Sequence, residues 1–317
     1  MPSLSDSLKK LIDDYQEYLT TKIERGSEPM IQVDEVASKV ASFYEKVRNL
    51  IDYQEGHLLR KHVVSRALKR RIFLKDISGK DVAEPLIKEI IRSGHLGNNA
   101  VPESKIQEVQ SIIDAVLFAL DHLNEQESGR DKLSGWIFGI AVCMVEEALA
   151  SPARDMMLAD FMFSTMRERV KFYGGDVDDE DRDSLLFIAI QKMLLRADDD
   201  QLNSRLISSL HPGWTELSGE DREKFADSLP EMYERTIYYS KHLLLSTFLT
   251  FTNLSAFIFR IVGDLVFAGK SFDNLTKEVT TAYKDRYERK KKQLFRLAFF
   301  SVVSFLLSPI LVAFAIE

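Results

Sequence analysis

The sequence predicts an all-α fold, with a multi-helix cytoplasmic domain followed by a C-terminal transmembrane helix. The 14 glycines and 8 prolines among 317 residues make up about 7% of the chain, against a usual share of about 12%, and this scarcity disfavours an all-β fold with many turns. Apolar residues recur at helical spacing along most of the chain. The twenty residues 297–316 carry no charge, and a helix of that length measures about 30 Å, the hydrocarbon thickness of a bilayer.

Composition excludes several classes of protein. A hydrophobic fraction of 45% with a formal net charge of −7 supplies at least one sizeable core and excludes global disorder. The single cysteine excludes a disulfide framework and a zinc module with cysteine ligands. A sequence pI of about 5.6 excludes a generally basic nucleic-acid binder.

Helical spacing predicts the first elements in order. Two apolar stripes, Leu8 to Ile23 and Val33 to Ile51, are separated by a break at residues 26–29 that contains glycine and proline. Pro102 then stands where a helix start is expected. Two further helices are predicted over about Asp81–Ser93 and Glu103–Leu123.

The segment Trp136–Val145 is apolar on every side, so we expect its helix at the centre of the core. Cys143 lies within it and is interpreted as a small core hydrophobe, because neither a nearby histidine nor a flanking motif supports a catalytic nucleophile. The methionines that follow at near-helical spacing are interpreted as core filler. They are Met156, Met157, Met162 and Met166.

Two acidic clusters, residues 176–183 and 198–200, precede predicted helices. Carboxylates are stabilised near the positive end of a helix dipole, so both clusters are predicted to lie at helix N-termini. The first cluster resembles a calcium loop only superficially, because Asp181 replaces the required glycine and Phe187 replaces the required glutamate. Weaker calcium binding stays open as an alternative.

A basic amphipathic helix is predicted over Leu58–Lys75, with an apolar stripe that runs from Leu59 to Ile72. Three interpretations compete for its charges: pairing with the acidic clusters of the same chain, contact with anionic lipid or a partner, and contact with nucleic acid. The last is the weakest because interleaved aromatic residues are absent. The candidate contact residues are Arg60, Lys61, Arg66, Lys69, Arg70 and Arg71.

No catalytic motif is recognisable in the sequence. His57 and His62 diverge by about 140° around a helix, which is poor geometry for one metal ion. The segment Ser78-Gly79-Lys80 lacks the upstream glycine of a phosphate loop and is predicted to be a turn. We therefore expect no catalytic residue, no cofactor and no resident metal.

A second apolar stretch, Leu243–Phe259, is shorter than a typical span and contains several Ser, Thr and Asn residues before Arg260. We interpret it as a buried or interfacial helix, with a second span as the alternative. The expected organisation is a helical soluble domain over 1–240, an apolar or interfacial helix with a linker helix over 241–283, a basic juxtamembrane collar over 284–296 and the transmembrane helix over 297–316.

The collar contains seven basic and two acidic residues, whereas residues 1–280 carry a net charge of −11. The positive-inside tendency therefore predicts a cytoplasmic collar. The start of the chain lacks a secretory signal, which agrees with a cytoplasmic N-terminal domain. Anionic headgroups are the expected partner of the collar, with candidate contacts at Lys290, Lys291 and Lys292.

Small residues form a stripe on one face of the predicted span. Ser301, Ser304 and Ser308 are candidate contacts with another membrane helix or a second copy, because small side chains let helices approach closely in lipid. Alternatively, each hydroxyl bonds only to its own backbone. The position of Glu317 directly after the span is compatible with a tail anchor or with the front part of a longer protein.

The segments YEKVRNLIDYQEGHLLRKHVVSRALKRRIFL (44–74) and LFIAIQKMLLRADDD (186–200), with the closing SPILVAFAIE, resemble an uncharacterised family of bacterial membrane proteins from small-genome, uncultivated lineages. That resemblance implies further apolar segments after this point and a cytoplasmic front domain of a multi-pass protein. The family has no known activity, so it implies no functional residue. The apolar stretch 243–259 departs from its pattern.

From these observations we expect a membrane-tethered helical structural or interaction module at the inner face of the cytoplasmic membrane. The first alternative is the cytoplasmic front domain of a multi-pass membrane transporter or channel-like protein. The second is an enzyme without a recognisable motif. Membrane lipid is the expected partner, together with other membrane helices or a second copy.

Overall fold

In a computed structural model of the chain, the described residues form eleven α-helices, one 3₁₀-helix and no strand, so the predicted all-α fold is confirmed. The only bridge among them is an isolated antiparallel one between Met30 and Pro102. Side chains are described as far as residue 300, and the backbone as far as residue 316. The described ranges are 5–25, 28–33, 56–73, 81–124, 130–169, 178–269 and 275–316.

The helices are numbered in chain order. They are α1 (Asp6–Arg25), α2 (Gly56–Phe73), α3 (Ala83–Arg92), α4 (Ser104–Asn124), α5 (Arg130–Leu149), α6 (Ala153–Arg169), α7 (Asp179–Leu194), α8 (Asp199–Leu210), the 3₁₀-helix Trp214–Glu216, α9 (Gly219–Lys241), α10 (Leu245–Phe267) and α11 (Leu275–Ile316). The chain divides into two compact units, and the division falls within α10: the first unit is Asp6–Ala256, and the second includes Phe257–Glu317.

Helix α5 lies at the centre of the first unit, as its apolar composition predicts. It packs against α2, α4, α8 and α9. Every residue from Trp136 to Val145 except Met144 is buried, and Cys143 is among them. The Trp136 ring meets Tyr233 of α9 edge to face, with ring centroids 5.4 Å apart. The segment Trp136–Val145 is therefore enclosed by neighbouring helices.

The other helical stripes are confirmed in most positions. In α1, Leu8, Leu11 and Tyr15 are buried, whereas Ile23 at the end of the stripe is 78% exposed. Helices α3 and α4 lie close to their predicted bounds. Met162 and Met166 are buried as predicted for core filler, whereas Met156 and Met157 are only half-buried. The predicted stripe Val33–Ile51 and the turn at 78–80 lie outside the described residues, apart from Val33.

Both acidic clusters provide helix N-caps, as predicted. The Asp178 carboxylate accepts a hydrogen bond of 2.7 Å from the Asp181 amide at the start of α7. Asp198 accepts one of 2.9 Å from the Gln201 amide, and the Gln201 side chain accepts a bond from the Asp198 amide in return. This reciprocal capping box satisfies backbone donors that the first turn of a helix otherwise leaves unpaired.

Helix α2 is amphipathic, but its buried stripe is shorter than predicted. Val63, Val64, Ala67 and Leu68 are buried, whereas Leu59 is 43% exposed. Side chains four residues apart point to the same face of a helix, so the spacing alone could not distinguish Leu59 from the covered positions. Neighbouring helices therefore cover the apolar stripe of α2 only from Val63 onwards.

Leu68→Ala should lower the free energy of unfolding by about 2–5 kcal/mol, because it deletes a side chain that is fully buried and leaves a cavity. Leu59→Ala on the same helix is the matched control and should cost less than about 1 kcal/mol. Denaturant titrations of the two variants and the wild type measure both values. Equal costs at the two positions would contradict the burial assigned to α2.

Candidate functional site

A partly buried ionic cluster lies where α2, α5 and α8 meet. The Lys61 ammonium of α2 is 2.6 Å from Asp198 Oδ2 and 2.9 Å from Asp200 Oδ2 at the start of α8. The Cys143 sulfur of α5 and one oxygen of each carboxylate all lie within 4.8 Å of one another. Four chemically active side chains from three helices therefore share one small volume.

Gly139 of α5 allows α5 and α8 to approach closely at this point. A Cβ atom added to Gly139 would lie 2.6 Å from Asp200 Oδ1, which is far inside van der Waals contact. Gly139 and Cys143 are four residues apart and therefore share a face of α5. The Asp200 carboxylate therefore packs against α5 at Gly139, and it also pairs with the Lys61 ammonium.

The cluster favours a charged Lys61 and an ionised Asp198. Burial acts to lower the pKa of Lys61, but its hydrogen bonds to Asp198 and Asp200 outweigh burial and raise it. Burial acts to raise the pKa of Asp198, but hydrogen bonds from Lys61 and from the Gln201 amide outweigh it and lower the pKa. Burial raises the pKa of Cys143 strongly, and the nearby carboxylates raise it further. The Cys143 side chain is therefore a neutral thiol at physiological pH.

Two further ion pairs extend the cluster along α5. Arg60 Nε donates to Glu146 Oε1 at 2.8 Å, and Arg205 Nε donates to Glu147 Oε1 at 2.8 Å. Arg205 Nη1 also donates to the Gln191 side-chain oxygen at 2.9 Å, so α7 joins the network. Burial raises the pKa of both glutamates, and their arginine partners oppose this shift.

This arrangement is suited to holding helices together. Thiolate and carboxylate groups can bind a metal ion, but the Lys61 ammonium already lies within hydrogen-bonding distance of both carboxylates and offsets one of their two negative charges. A protonated thiol is a poor nucleophile. Buried charges are stable only when they are paired, and each charged member of the cluster named above has a partner of opposite sign within the chain. We interpret the cluster as a structural polar centre.

Of the candidate contacts on the basic helix, Arg60 and Lys61 face inward. Their side chains are 22% and 15% exposed. For Lys61 the structure shows the predicted pairing with the second acidic cluster, whereas Arg60 pairs with Glu146, which lies outside both clusters. Neither the Lys61 ammonium nor the Arg60 guanidinium group can therefore contact lipid or a partner without breaking an ion pair.

Of the remaining candidates on α2, Arg66, Lys69 and Arg70 are exposed, whereas the Arg71 side chain is only 17% exposed. Arg70 and Arg71 both pair with Glu89 of α3. The Lys69 ammonium lies 5.4 Å from the centroid of the Phe138 ring, in cation–π geometry. Arg66 is exposed. A lipid or partner contact through this helix would therefore use Arg66, Lys69 and Arg70.

The candidates near the predicted span lie along α11. Lys290, Lys291 and Lys292 are exposed. The side chains of Ser301, Ser304 and Ser308 lie outside the described residues, so their proposed helix contact stays a prediction. Among the described residues, α10 is long and apolar enough to cross a membrane, with a mean hydropathy of 1.4, and α5 with α6 is so only as a pair bent by 110°. Core helices of soluble proteins can be equally long and apolar.

A cleft of about 690 Å³ lies between α1, α6, α7 and α8. Apolar side chains such as Leu11, Phe161 and Phe187 line it together with several charged groups, among them Asp160. Gln191 also lines the cleft and thus connects it to the ionic cluster through Arg205. Sequence reasoning missed this cleft, because its lining is divided among four helices and no local pattern marks it.

Comparisons with known proteins assign no family to the chain. No family model, no curated protein and no solved structure matches it. The resemblance to a bacterial membrane-protein family through segments 44–74 and 186–200 therefore stays a prediction. Residues 44–55 of the first segment lie outside the described part of the chain.

Asp198→Asn should lower the free energy of unfolding by about 1–2 kcal/mol at pH 7, because the amide still caps α8 but leaves Lys61 with one carboxylate fewer. The folded state lowers the pKa of Asp198 below its ordinary value of 3.8, so its contribution is present above that value and is lost as the pH falls through the lowered pKa. The difference between wild type and variant should therefore shrink below about pH 4.

Denaturant titrations at pH 7, 5 and 3 measure this difference. Asp199→Asn is the matched control, because Asp199 is the next residue and its side chain is 84% exposed. It should change stability by less than about 0.5 kcal/mol at each pH. A difference between Asp198→Asn and wild type that stayed constant down to pH 3 would contradict the assigned role of the carboxylate.

Proposed function

We propose that this protein is a membrane-tethered helical interaction module at the inner face of the cytoplasmic membrane. One observation carries the proposal: α11 runs without a break from an exposed basic collar into the uncharged residues 297–316. The helix has 42 residues and is therefore about 63 Å long. Collar and uncharged segment thus form one rod, with about half of its length suited to a hydrocarbon environment.

The continuous helix meets the main requirement of a membrane span. Inside a bilayer no water is available, so every backbone donor and acceptor must be satisfied within the segment. A helix satisfies them, and the absence of charge over 297–316 removes the largest energetic barrier to insertion. Length, composition and backbone conformation therefore support the same interpretation.

The charge distribution supports an orientation. Side chains from Lys284 to Arg296 are exposed or half-buried, so the positive charge of the collar is available to solvent and lipid. Basic residues beside a span favour the cytoplasmic side, and each contributes about 1 kcal/mol to binding an anionic lipid surface. The acidic remainder of the chain, at −11 over residues 1–280, is repelled by the same lipids.

Helix α10 supports a second contact with the membrane surface. Phe248 and Thr252 are buried, whereas Phe251 is 45% and Leu254 is 73% exposed. A helix that buries one face in protein and exposes apolar residues on another has the character of an interfacial helix. We therefore favour the interfacial interpretation of α10 over a second span.

The full chain should sediment with membranes and resist extraction by alkaline carbonate, whereas a chain that ends at Tyr283 should be released by carbonate. The physical reason is that only insertion of residues 297–316 resists loss of electrostatic contacts. Immunoblots of the pellet and supernatant measure the distribution.

A full-length variant with Lys290, Lys291 and Lys292 replaced by Gln is the control. It should still resist carbonate, because it keeps the uncharged segment, but it should lose affinity for anionic vesicles. A full-length chain that remained soluble without detergent would contradict the proposal.

A further inference from the structure

We propose that the cleft between α1, α6, α7 and α8 binds a small organic cation, with one ammonium group that meets Asp160 and an apolar body that lies on the aromatic side chains beside it. This site is independent of the membrane tether, because all of its lining residues belong to the first unit. The inference therefore stands or falls separately from the proposed function.

The cleft has the size and lining of a small-molecule site. Its volume of about 690 Å³ lies within the range of about 300–1,000 Å³ that such sites occupy. Phe163 and Phe187 face each other edge to face across α6 and α7, with ring centroids 6.3 Å apart. Leu11 and Met157 add aliphatic surface from α1 and α6. An apolar ligand body would therefore find continuous contact.

Helix α6 supplies one wall of the cleft. Met157, Asp160, Ser164 and Arg167 all line it, and their spacing of three or four residues puts them on one face of the helix. The Ser164 hydroxyl bonds to the Asp160 backbone oxygen at 2.5 Å, so it leaves the carboxylate of that residue unengaged. Asp160 thus lies on the cleft face of α6, between an aliphatic side chain and a basic one.

The charges around the cleft leave one carboxylate without a direct ion pair. Five acidic residues line the cleft, and four of them form ion pairs within the chain. Among the described residues, Asp160 has neither a hydrogen bond nor an ion pair to its side chain. The four pairs are Asp14–Lys10, Asp179–Arg182, Asp183–Arg167 and Glu180–Arg235.

Nearby groups make Asp160 a receptor for positive charge. Burial raises the pKa of Asp160, and the Asp14 charge raises it further, while Lys10 opposes both. The Asp160 side chain is exposed to solvent in the open cleft, so a ligand can reach its carboxylate and form a charge-assisted hydrogen bond with it. A ligand ammonium would supply that bond, whereas a neutral or anionic ligand of the same shape would not. This difference sets the predicted selectivity.

Three probes with the same phenyl ring and similar length test the inference: 4-phenylbutylamine, 4-phenylbutanol and 4-phenylbutyrate. Calorimetric titration would use the full chain in nanodiscs of zwitterionic lipid, with empty nanodiscs subtracted. The amine, which is an ammonium at neutral pH, should bind saturably and about tenfold tighter than the alcohol. The butyrate should bind more weakly than either. Equal affinity for the three probes, or no saturable binding of the amine, would overturn the proposal.

Two matched variants assign the site. Asp160→Asn should weaken binding of the amine about tenfold, to the level of the alcohol. Asp155→Asn changes an exposed acid on the same helix outside the cleft, and it should leave binding unchanged. Equal losses in both variants would show nonspecific charge attraction and would contradict the assignment.

If Asp160→Asn disturbs folding, a third variant still tests the proposal. Ser164→Phe places a ring in the cleft itself and should abolish binding of the amine and the alcohol alike. Circular dichroism checks that each variant remains helical. Unchanged binding in a helical Ser164→Phe protein would place the ligand elsewhere and overturn the proposal.

Discussion

The interaction on which the first unit depends is the contact of the Lys61 ammonium with the carboxylates of Asp198 and Asp200. It joins α2 to the first turn of α8, and α8 packs directly on the central helix α5. The Lys61 side chain is only 15% exposed, and a charge with so little exposure is costly unless it is paired, so Lys61 depends on the two carboxylates. The same carboxylate that pairs with Lys61 also caps α8 through the Gln201 amide. Local capping and long-range pairing are therefore coupled in one residue, Asp198.

Helix α5 both fills the core and accommodates charged groups from its neighbours, and different residues along the helix serve these two roles. Most of its central residues are apolar and fill the core, whereas Gly139, Cys143, Glu146 and Glu147 form a polar seam. The seam lets α2 and α8 approach with each of these charges next to one of opposite sign. It explains why a helix that is apolar nearly all round still carries two glutamates near its end.

Features that depend on neighbouring residues were predictable from the sequence, whereas contacts between residues far apart in the chain were not. The helix bounds and the caps at Asp178 and Asp198 depend on residues within one or two turns of each other. By contrast, Lys61 pairs with a residue 137 positions away. The cleft is likewise divided among helices that are distant in sequence. Periodicity also failed at Ile23 and Leu59, because it identifies a face but not whether a neighbour covers it.

Substitution of Gly139 tests most directly the claim that the Asp200 carboxylate packs closely on α5 and pairs with Lys61. Gly139→Ala should not raise the free energy of unfolding, because the new methyl group displaces the Asp200 carboxylate from Lys61 and this loss offsets the gain of about 1 kcal/mol in helix propensity. Gly135→Ala on the same helix has open space around its Cβ and should raise it by about 0.5–1 kcal/mol. Denaturant titration of both variants gives the comparison. Stabilisation of equal size at the two glycines would contradict the close packing of Asp200 on α5.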